Sequence, residues 1–391
     1  MLCNIQNTVV KYNRWNERTK QEREGTITMN KKLMEFLCEE TDWEAVNNEE
    51  LLHELPEFDA EVDAAVNEGR IGAFTKELSE HLGEMDIYKA SLVTGFIGSV
   101  REKEEDTSAG EDILKFFAGC CVRLCEMFQS SRVAEGYPQL GDERLLFDRN
   151  KNWVRAYYGF DILCNAVMAF LSRDAALRKR LLTIGISGEI KYLCDETAPS
   201  PYLETISHIK VMQNTCGVRK LVVLWPEKKK GFYATANDLS NCAHLLFLLE
   251  EQMHKTFGEE YDMAEFCASD FMVRLSHGEY LDECWDDYYE PHFMECDYVT
   301  ARHDVMEKDD IMSLIWGEAP PDDIRGVDDR GIIVLWRDGI NRSFSPQNLV
   351  VFHEALRPFV KIDRELTDEE YTAWIQKIRE KINSTRRQGG Y

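Results

Sequence analysis

The chain has 391 residues, of which 71 are acidic and 46 are Lys or Arg, so its formal net charge is −25. This charge disfavours nucleic acid as a partner, although it does not exclude it, because phosphate binding depends on basic surface and counterion release. With 44% hydrophobic residues the chain can bury a core, which excludes a disordered acidic polymer. Only 23 Gly and 10 Pro interrupt it, and we expect a helix-rich, multidomain fold.

Residues 1–28 differ from the rest of the chain. They carry a net charge of +2 and no apolar periodicity, whereas a helical pattern begins at Met29. We interpret this segment either as a disordered tail or as a leader translated upstream of a native start at Met29. The codons of Glu22-Arg-Glu-Gly25 can form a purine run like a bacterial ribosome-binding site, which favours the second interpretation and a bacterial source.

The sequence predicts a cytoplasmic protein. Residues 1–28 lack the apolar core of a secretory signal, and no apolar run approaches the roughly 18 residues of a membrane span. The 12 cysteines follow no regular spacing, which is typical of reduced thiols in the cytosol.

Residues 29–198 are predicted to form a helical domain. Apolar residues three and four positions apart indicate helices over about 71–82, 113–128 and 153–171. Gly83 is expected to follow the end of the first, and Ser108 with Glu111 forms a candidate capping box for the second. Short connections between these helices favour a helical bundle or an irregular helical-repeat stack.

The segment Leu92 to Val100 contains part of a dinucleotide-binding glycine pattern. It has only Gly95 and Gly98 where the pattern needs three glycines after a strand, and its flanks predict a helix over about 87–104. Ser91, Gly95 and Gly98 instead predict a close crossing with another helix. We therefore expect no cofactor.

Pro199 and Pro201 mark the predicted domain boundary, because proline disfavours helix at and before itself. Residues 199–391 change to a mixture of strand and helix patterns. The expected fold is therefore mainly α, with an α+β carboxy-terminal domain.

A heptad recurs in this second domain. Arg219 to Trp225 and Arg330 to Trp336 share the pattern Arg-x-[Leu/Ile]-[Val/Ile]-Val-Leu-Trp, 111 residues apart. Each copy precedes a polar turn, at 226–231 and at 337–341, then an aromatic stretch and the start of a helix. We predict two strand-turn-strand-helix units, and the alternative is chance recurrence of apolar strands.

Helical patterns follow near 261–274, 279–290 and 304–316, and the chain closes with a stronger one. Thr367 and Glu370 form a capping box there. The apolar face of this last helix consists of Tyr371, Trp374, Ile375, Ile378 and Ile382.

The candidate metal ligands are weak, and the sequence predicts neither a metal site nor a catalytic residue. Structural zinc prefers two close pairs of ligands, whereas intervals of 16, 7 and 3 residues separate the candidates Cys267, Cys284, His292 and Cys296.

Two acidic motifs nevertheless leave a metal-dependent hydrolase or nuclease open as the alternative function. Glu227-Lys-Lys229 resembles the end of a nuclease core, although Pro226 favours a hairpin turn there. The carboxylates that follow Pro320-Pro321 could bind a cation; they are Asp322, Asp323, Asp328 and Asp329.

The negative charge is concentrated in two blocks. Residues 29–106 have a net charge of −14 and residues 259–329 a net charge of −18, while the remainder sums to +7. No Lys or Arg occurs from 275 to 301, and five carboxylates lie off the apolar face of the predicted 279–290 helix. These candidate partner-binding residues are Asp282, Glu283, Asp286, Asp287 and Glu290.

A surface of one charge sign attracts an oppositely charged partner. The leading hypothesis is therefore a non-enzymatic interaction or regulatory protein that docks a basic protein surface or mimics nucleic acid. The alternative explanation for the charge is solubility alone.

Overall fold

The computed structural model describes residues 30–103, 108–134, 137–139, 142–195, 197, 200–261, 270–279, 292–298, 304–306, 314–341 and 346–387. The chain divides into two compact units between Gln213 and Asn214. Residues 1–28, which we interpreted as a tail or a leader, lie outside the described residues. The division falls after the predicted 198/199 boundary, because a helix at Ile206–Met212 still packs on the helices of the first unit.

The described part of the first unit, unit 1, is helical except for one short hairpin. Its helices are α1 (Lys31–Cys38), α2 (Pro56–Asn67), α3 (Ile71–Glu80), α4 (Ile87–Arg101), α5 (Gly110–Gln129), α6 (Glu143–Arg149), α7 (Lys151–Arg173), α8 (Ala175–Thr183), α9 (Ser187–Asp195) and α10 (Ile206–Met212). The hairpin pairs β1 (Arg132–Ala134) with β2 (Tyr137–Gln139). The predicted helical domain is confirmed at this level.

Aspartate and asparagine side chains define where several of these helices begin. The side chains of Asn30, Asp86, Asp142, Asn150 and Asp174 accept hydrogen bonds from first-turn backbone N–H groups of α1, α4, α6, α7 and α8. These bonds satisfy donors that a helix leaves unpaired.

Two predicted details of helix ends are wrong. Ala109, rather than Ser108, occupies the N-cap position of α5, without a side-chain cap. α3 ends at Glu80, and Gly83 does not adopt the left-handed conformation of a helix-terminating glycine.

The predicted close helix crossing is present between α4 and α7. A Cβ atom added at Gly98 would lie 2.7 Å from Ala166 Cα, and one added at Gly95 would lie 2.6 Å from Ile162 Cγ2. On the opposite helix, a Cβ atom at Gly159 would lie 2.5 Å from Ser91 Cβ. The small residues are therefore needed for packing, and they lie within a helix rather than in a phosphate-binding loop.

The second unit, unit 2, contains a mixed sheet. Its elements are β3 (Arg219–Trp225), β4 (Lys230–Asn237), α11 (Cys242–Tyr261), α12 (Asp270–Ser276), β5 (His292–Tyr298), β6 (Gly326–Val327), β7 (Arg330–Asn341), β8 (Phe359–Glu365) and α13 (Asp368–Arg387). The strand order is β5-β7-β3-β4-β8, with β6 beside β7, and β3 and β7 are parallel while the other pairs are antiparallel.

The two heptads lie side by side as β3 and β7, but their equivalent residues face opposite sides of the sheet. Val222 pairs with Ile332, one position away from the alignment of the two sequences. Trp225 therefore packs in the core beneath α11, whereas Trp336 packs with α13. Both strands are buried on both faces, which explains a continuous apolar run in each without requiring duplication.

The first predicted strand-turn-strand-helix unit is present, with a 3₁₀ turn at Pro226–Lys228 between β3 and β4 and then α11. The second is wrong. The predicted turn at 337–341 continues β7, with a bulge opposite Met294 and Glu295. After 342–345, which lie outside the described residues, only a 3₁₀ turn at Pro346–Leu349 follows.

The predicted 304–316 helix is also not seen where the chain is described, because Asp304 precedes a turn and Leu314 forms a bridge with Asp297. The last helix agrees closely with the prediction. The Glu370 N–H donates to Thr367 Oγ1 at 3.2 Å, and the Thr367 N–H donates to Glu370 Oε2 at 3.0 Å. Within the described ranges, no helix is both long and apolar enough to cross a membrane.

Candidate functional site

The five predicted partner-binding residues, Asp282 to Glu290, lie outside the described residues. So do Cys267 and Cys284 of the sketched metal site, while Cys296 is buried in β5. Among the residues the structure describes, no group of three or more His, Cys, Asp or Glu side chains could hold a metal ion.

The carboxylates of the hydrolase hypothesis do not converge. Glu227 follows the carboxyl end of β3, whereas Asp322 forms an ion pair with Arg219 at its amino end. The seven residues of β3 separate the two by about 20 Å at ~3.3 Å per residue. A shared metal would need its ligands within about 2.5 Å of it.

The chain's own cations pair with the acidic loop near β6. Lys220 Nζ lies 2.8 Å from Asp329 Oδ2, and Lys377 Nζ lies 3.1 Å from Asp328 Oδ2. Asp328 and Asp329 form the two-residue turn between β6 and β7, with Asp328 at φ 57°. Lys220 and Lys377 of the same chain therefore already neutralise these two carboxylates.

The described part of the first acidic block has a different character. Residues 33–69 contain 13 acidic side chains and no Lys or Arg. Some are paired with cations from elsewhere, such as Glu40 with Lys151 and Glu57 with Lys32. Others lie at least partly exposed and form no ion pair with any described residue; they are Glu39, Glu49, Glu50, Glu61 and Asp63.

Aromatic rings accompany this acidic stretch. The Tyr158 and Tyr202 ring centroids are 4.9 Å apart at 64°, and those of Trp43 and Tyr158 are 6.4 Å apart at 81°. Tyr157 supports the pair from below, at 5.0 Å from Tyr202, with its hydroxyl 2.7 Å from Ser200 Oγ. Such edge-to-face contacts stabilise a defined ring geometry. Tyr157 is buried, whereas Trp43, Tyr158 and Tyr202 remain partly exposed.

Two carboxylates act on the tyrosines. The Tyr158 hydroxyl donates a hydrogen bond to Glu143 Oε2. Burial, then the negative charges of Glu143 and Glu49, raise the pKa of Tyr202. Burial and the hydrogen bond to Glu143 raise the pKa of Tyr158 well above its usual range. Glu143 thus contacts Tyr158 directly, and the charges of Glu143 and Glu49 both act on Tyr202.

We call the set Trp43, Glu44, Glu49, Glu143, Tyr158 and Tyr202 the aromatic–acidic surface. It already binds one guanidinium, since Arg144 Cζ lies 5.5 Å from the Trp43 ring centroid and Arg144 Nη1 lies 3.4 Å from Glu44 Oε1. Within the described ranges, no cation stacks on Tyr158 or Tyr202.

A buried ion pair fixes the segment that carries Trp43 and Glu44. Arg155 Nε lies 3.2 Å from Asp86 Oδ2, and these side chains are only 2% and 1% exposed. Arg155 also donates to the Thr41 carbonyl at 2.8 Å, while the Thr41 hydroxyl donates to Asp86 Oδ1 at 2.6 Å. Since Asp86 caps α4 and Arg155 belongs to α7, this ion pair ties the segment to both helices.

Unit 2 has an aromatic cluster with opposite electrostatics. Arg330 and Arg364 place their Cζ atoms 4.4 and 4.6 Å from the Tyr233 ring centroid. The Trp374 indole donates to the Tyr233 hydroxyl at 3.0 Å, and Lys377 lies over Trp374 at 4.8 Å. These rings carry cations from their own chain.

His244, near the start of α11, is structural. His244 is buried, with Nε2 2.6 Å from the Ser276 carbonyl oxygen at the end of α12. Burial lowers its pKa to about 4, so the ring is neutral at neutral pH and Nε2 donates to that carbonyl.

Sequence reasoning missed the aromatic–acidic surface. Its rings come from three distant segments, around Trp43, Tyr158 and Tyr202, and share no period. The absence of Lys and Arg between 33 and 69 was the available signal for its acidic half. Searches against protein-family models, curated proteins and solved structures find no match to this chain.

Proposed function

We propose that this protein is a non-enzymatic cytoplasmic interaction protein that binds a basic protein partner, and that the acidic stretch 33–69 of unit 1 contributes the docking surface. The observation that carries the proposal is the set of at least partly exposed carboxylates without an ion pair among the described residues, including Glu49, whose charge acts on Tyr202. A cationic partner would supply the missing charge and associate faster through long-range attraction. The nine described cysteines are free, which supports a reducing compartment.

The test is the salt dependence of binding to a basic peptide that mixes Lys and Arg. We expect the affinity to fall steeply between about 50 and 200 mM salt, as the Debye length shortens. Binding that is absent at low salt, or insensitive to salt, would contradict the proposal.

A matched pair of double variants locates the surface. Glu49→Gln/Glu50→Gln should weaken binding about tenfold, since each carboxylate contributes up to about 1 kcal/mol near the surface. Glu354→Gln/Glu380→Gln removes the same charge from exposed positions of unit 2 and should change affinity less than about twofold. Equal losses in the two variants would assign binding to net charge and not to unit 1.

A further inference from the structure

The chain's own contacts indicate which cation suits the aromatic–acidic surface. Arg144 uses both features of a guanidinium there, because it lies over the Trp43 ring and pairs with Glu44. Arginine combines a planar face that stacks on aromatic rings with donors that fit a carboxylate, whereas the ammonium of lysine is a compact and strongly hydrated point charge. The part of the surface formed by Trp43 and Glu44 thus already accommodates an arginine side chain.

The other part of the surface, formed by Tyr158, Tyr202, Glu49 and Glu143, also combines aromatic rings with carboxylates. Among the described residues, no cation stacks on its rings. The Tyr158 and Tyr202 rings meet edge to face at 64° with their centroids 4.9 Å apart, and the negative charges of Glu143 and Glu49 act on Tyr202. Tyr202 also donates a hydrogen bond to Asn47 Oδ1 at 3.5 Å, which connects it to the acidic stretch. A guanidinium at these rings would be attracted by two carboxylates and by the ring faces together.

The rings are held in place before any partner arrives. Asn150 caps α7, which carries Tyr158, and Asp142 caps α6, which carries Glu143. The Asp86–Arg155 ion pair fixes the segment with Trp43. Such preorganisation reduces the entropy lost on binding.

We infer that Tyr158, Tyr202, Glu49 and Glu143 form a recognition site for an arginine side chain of the basic partner. This site lies beside Trp43 and Glu44, which Arg144 of the same chain occupies. This inference rests on the proposed function and adds to it a selectivity for arginine over lysine.

The experiment compares two peptides of equal length and charge, one with arginine and one with lysine at every basic position, on the full chain at low salt. We expect the arginine peptide to bind about fivefold more tightly. Tyr202→Leu should remove most of this preference while both peptides keep their salt dependence. Tyr158→Phe keeps the ring and should retain the preference, which separates stacking from the hydrogen bond to Glu143.

Arg144→Gln tests the internal arginine. Removing it frees Trp43 and Glu44 for the peptide, so affinity for the arginine peptide should rise about threefold or more. Arg149→Gln is the matched control, since Arg149 is another exposed α6 arginine, stacked on Trp153 instead of Trp43. It should raise the affinity for both peptides equally and slightly.

The outcomes separate the two proposals. If the two peptides bind with equal affinity, and Tyr202→Leu changes neither affinity, the arginine site is wrong but the docking function is not contradicted. No salt-dependent binding of either peptide would overturn both. Each variant's thermal unfolding should remain cooperative, and failure of Tyr202→Leu to fold would leave Tyr158→Phe and Arg144→Gln to decide.

Discussion

The aromatic clusters of the two units solve the same electrostatic problem in opposite ways. In unit 2, Tyr233 lies between Arg330 and Arg364, so cations of the same unit satisfy its ring faces. In unit 1, the Tyr158 hydroxyl donates to the carboxylate of Glu143, and Arg144 stacks on Trp43 rather than on either tyrosine. The first arrangement stabilises a fold, whereas we propose that the second binds a cation from another molecule.

The largest expected effect concerns the frame of the unit 1 cluster. Asp86→Ala removes the buried counter-charge of the Arg155 guanidinium, leaves only the exposed Glu40 as its ion-pair partner, and removes the cap of α4. We expect unit 1 to lose about 3–5 kcal/mol of unfolding free energy, measured by hydrogen exchange of α4 and α7 amides. Glu40→Gln removes the exposed partner of the same arginine and should have a much smaller effect. Similar losses in both variants would contradict the role of burial.

The next effect is a loss of stability at acid pH that His244 causes in unit 2. His244 has a folded pKa of about 4 against 6.5 for the free side chain, so the unfolded state binds the proton first as pH falls. Its contribution is complete above about pH 6.5 and lost progressively down to about pH 4, which amounts to about 3 kcal/mol in unit 2. Hydrogen exchange of α11 amides across this range measures the loss.

His244→Gln is the control for this pH dependence. Glutamine does not titrate, so the variant should be less stable at neutral pH but should lose the part of the acid sensitivity that His244 causes. An unchanged acid slope would assign the effect to other groups.

A pair of tyrosine substitutions tests the contrast itself. Tyr233→Leu removes the ring beneath two arginines and the acceptor of the Trp374 indole, and should cost unit 2 about 1–3 kcal/mol. Tyr202→Leu should cost unit 1 about 1 kcal/mol, from lost ring contacts. For the affinity of the arginine peptide we expect the reverse order, with a clear loss in Tyr202→Leu and little change in Tyr233→Leu. A large loss of affinity in Tyr233→Leu would contradict the proposed difference between the two clusters.

The smallest expected effect is the stability change of Arg144→Gln. Arg144 is about half exposed, and its ion pair with Glu44 spans 3.4 Å, so we expect a change below about 1 kcal/mol. Thermal unfolding measures it. A larger loss would mean that Arg144 supports the fold, as Arg330 and Arg364 do in unit 2, and would weaken its interpretation as an internal ligand.

Local patterns predicted the parts of the fold that depend on nearby residues. The Thr367 and Glu370 cap and the apolar face of α13 were correct because both are set within a few residues. The turn expected at 337–341 was wrong, since its polar residues, Arg337 to Asn341, continue β7 where a bulge accommodates extra residues opposite β5. Strand pairing with a distant partner overrode the local signal.

The candidate site depended almost wholly on such distant contacts. Asp86 caps α4 and Arg155 belongs to α7, and nothing in either local sequence indicates that they pair. Tyr158 and Tyr202 meet only because α7 and the segment before α10 pack together. Charge counting identified the acidic block, but the neighbouring rings required the three-dimensional structure.

The pairing of β3 with β7 bears on how unit 2 avoids misfolding. Both strands are apolar at every inner position, so sliding one along the other by a single residue would still bury only apolar side chains. Hydrophobic alternation, which selects the register of most strands, therefore provides little discrimination here. The charged pairs at the strand ends, Arg219 with Asp322 and Lys220 with Asp329, connect the start of β3 to the segment that leads into β7. Surface ion pairs that add little to stability can thus select the register of two strands. Their removal would increase the population of shifted registers more than it lowers the melting temperature.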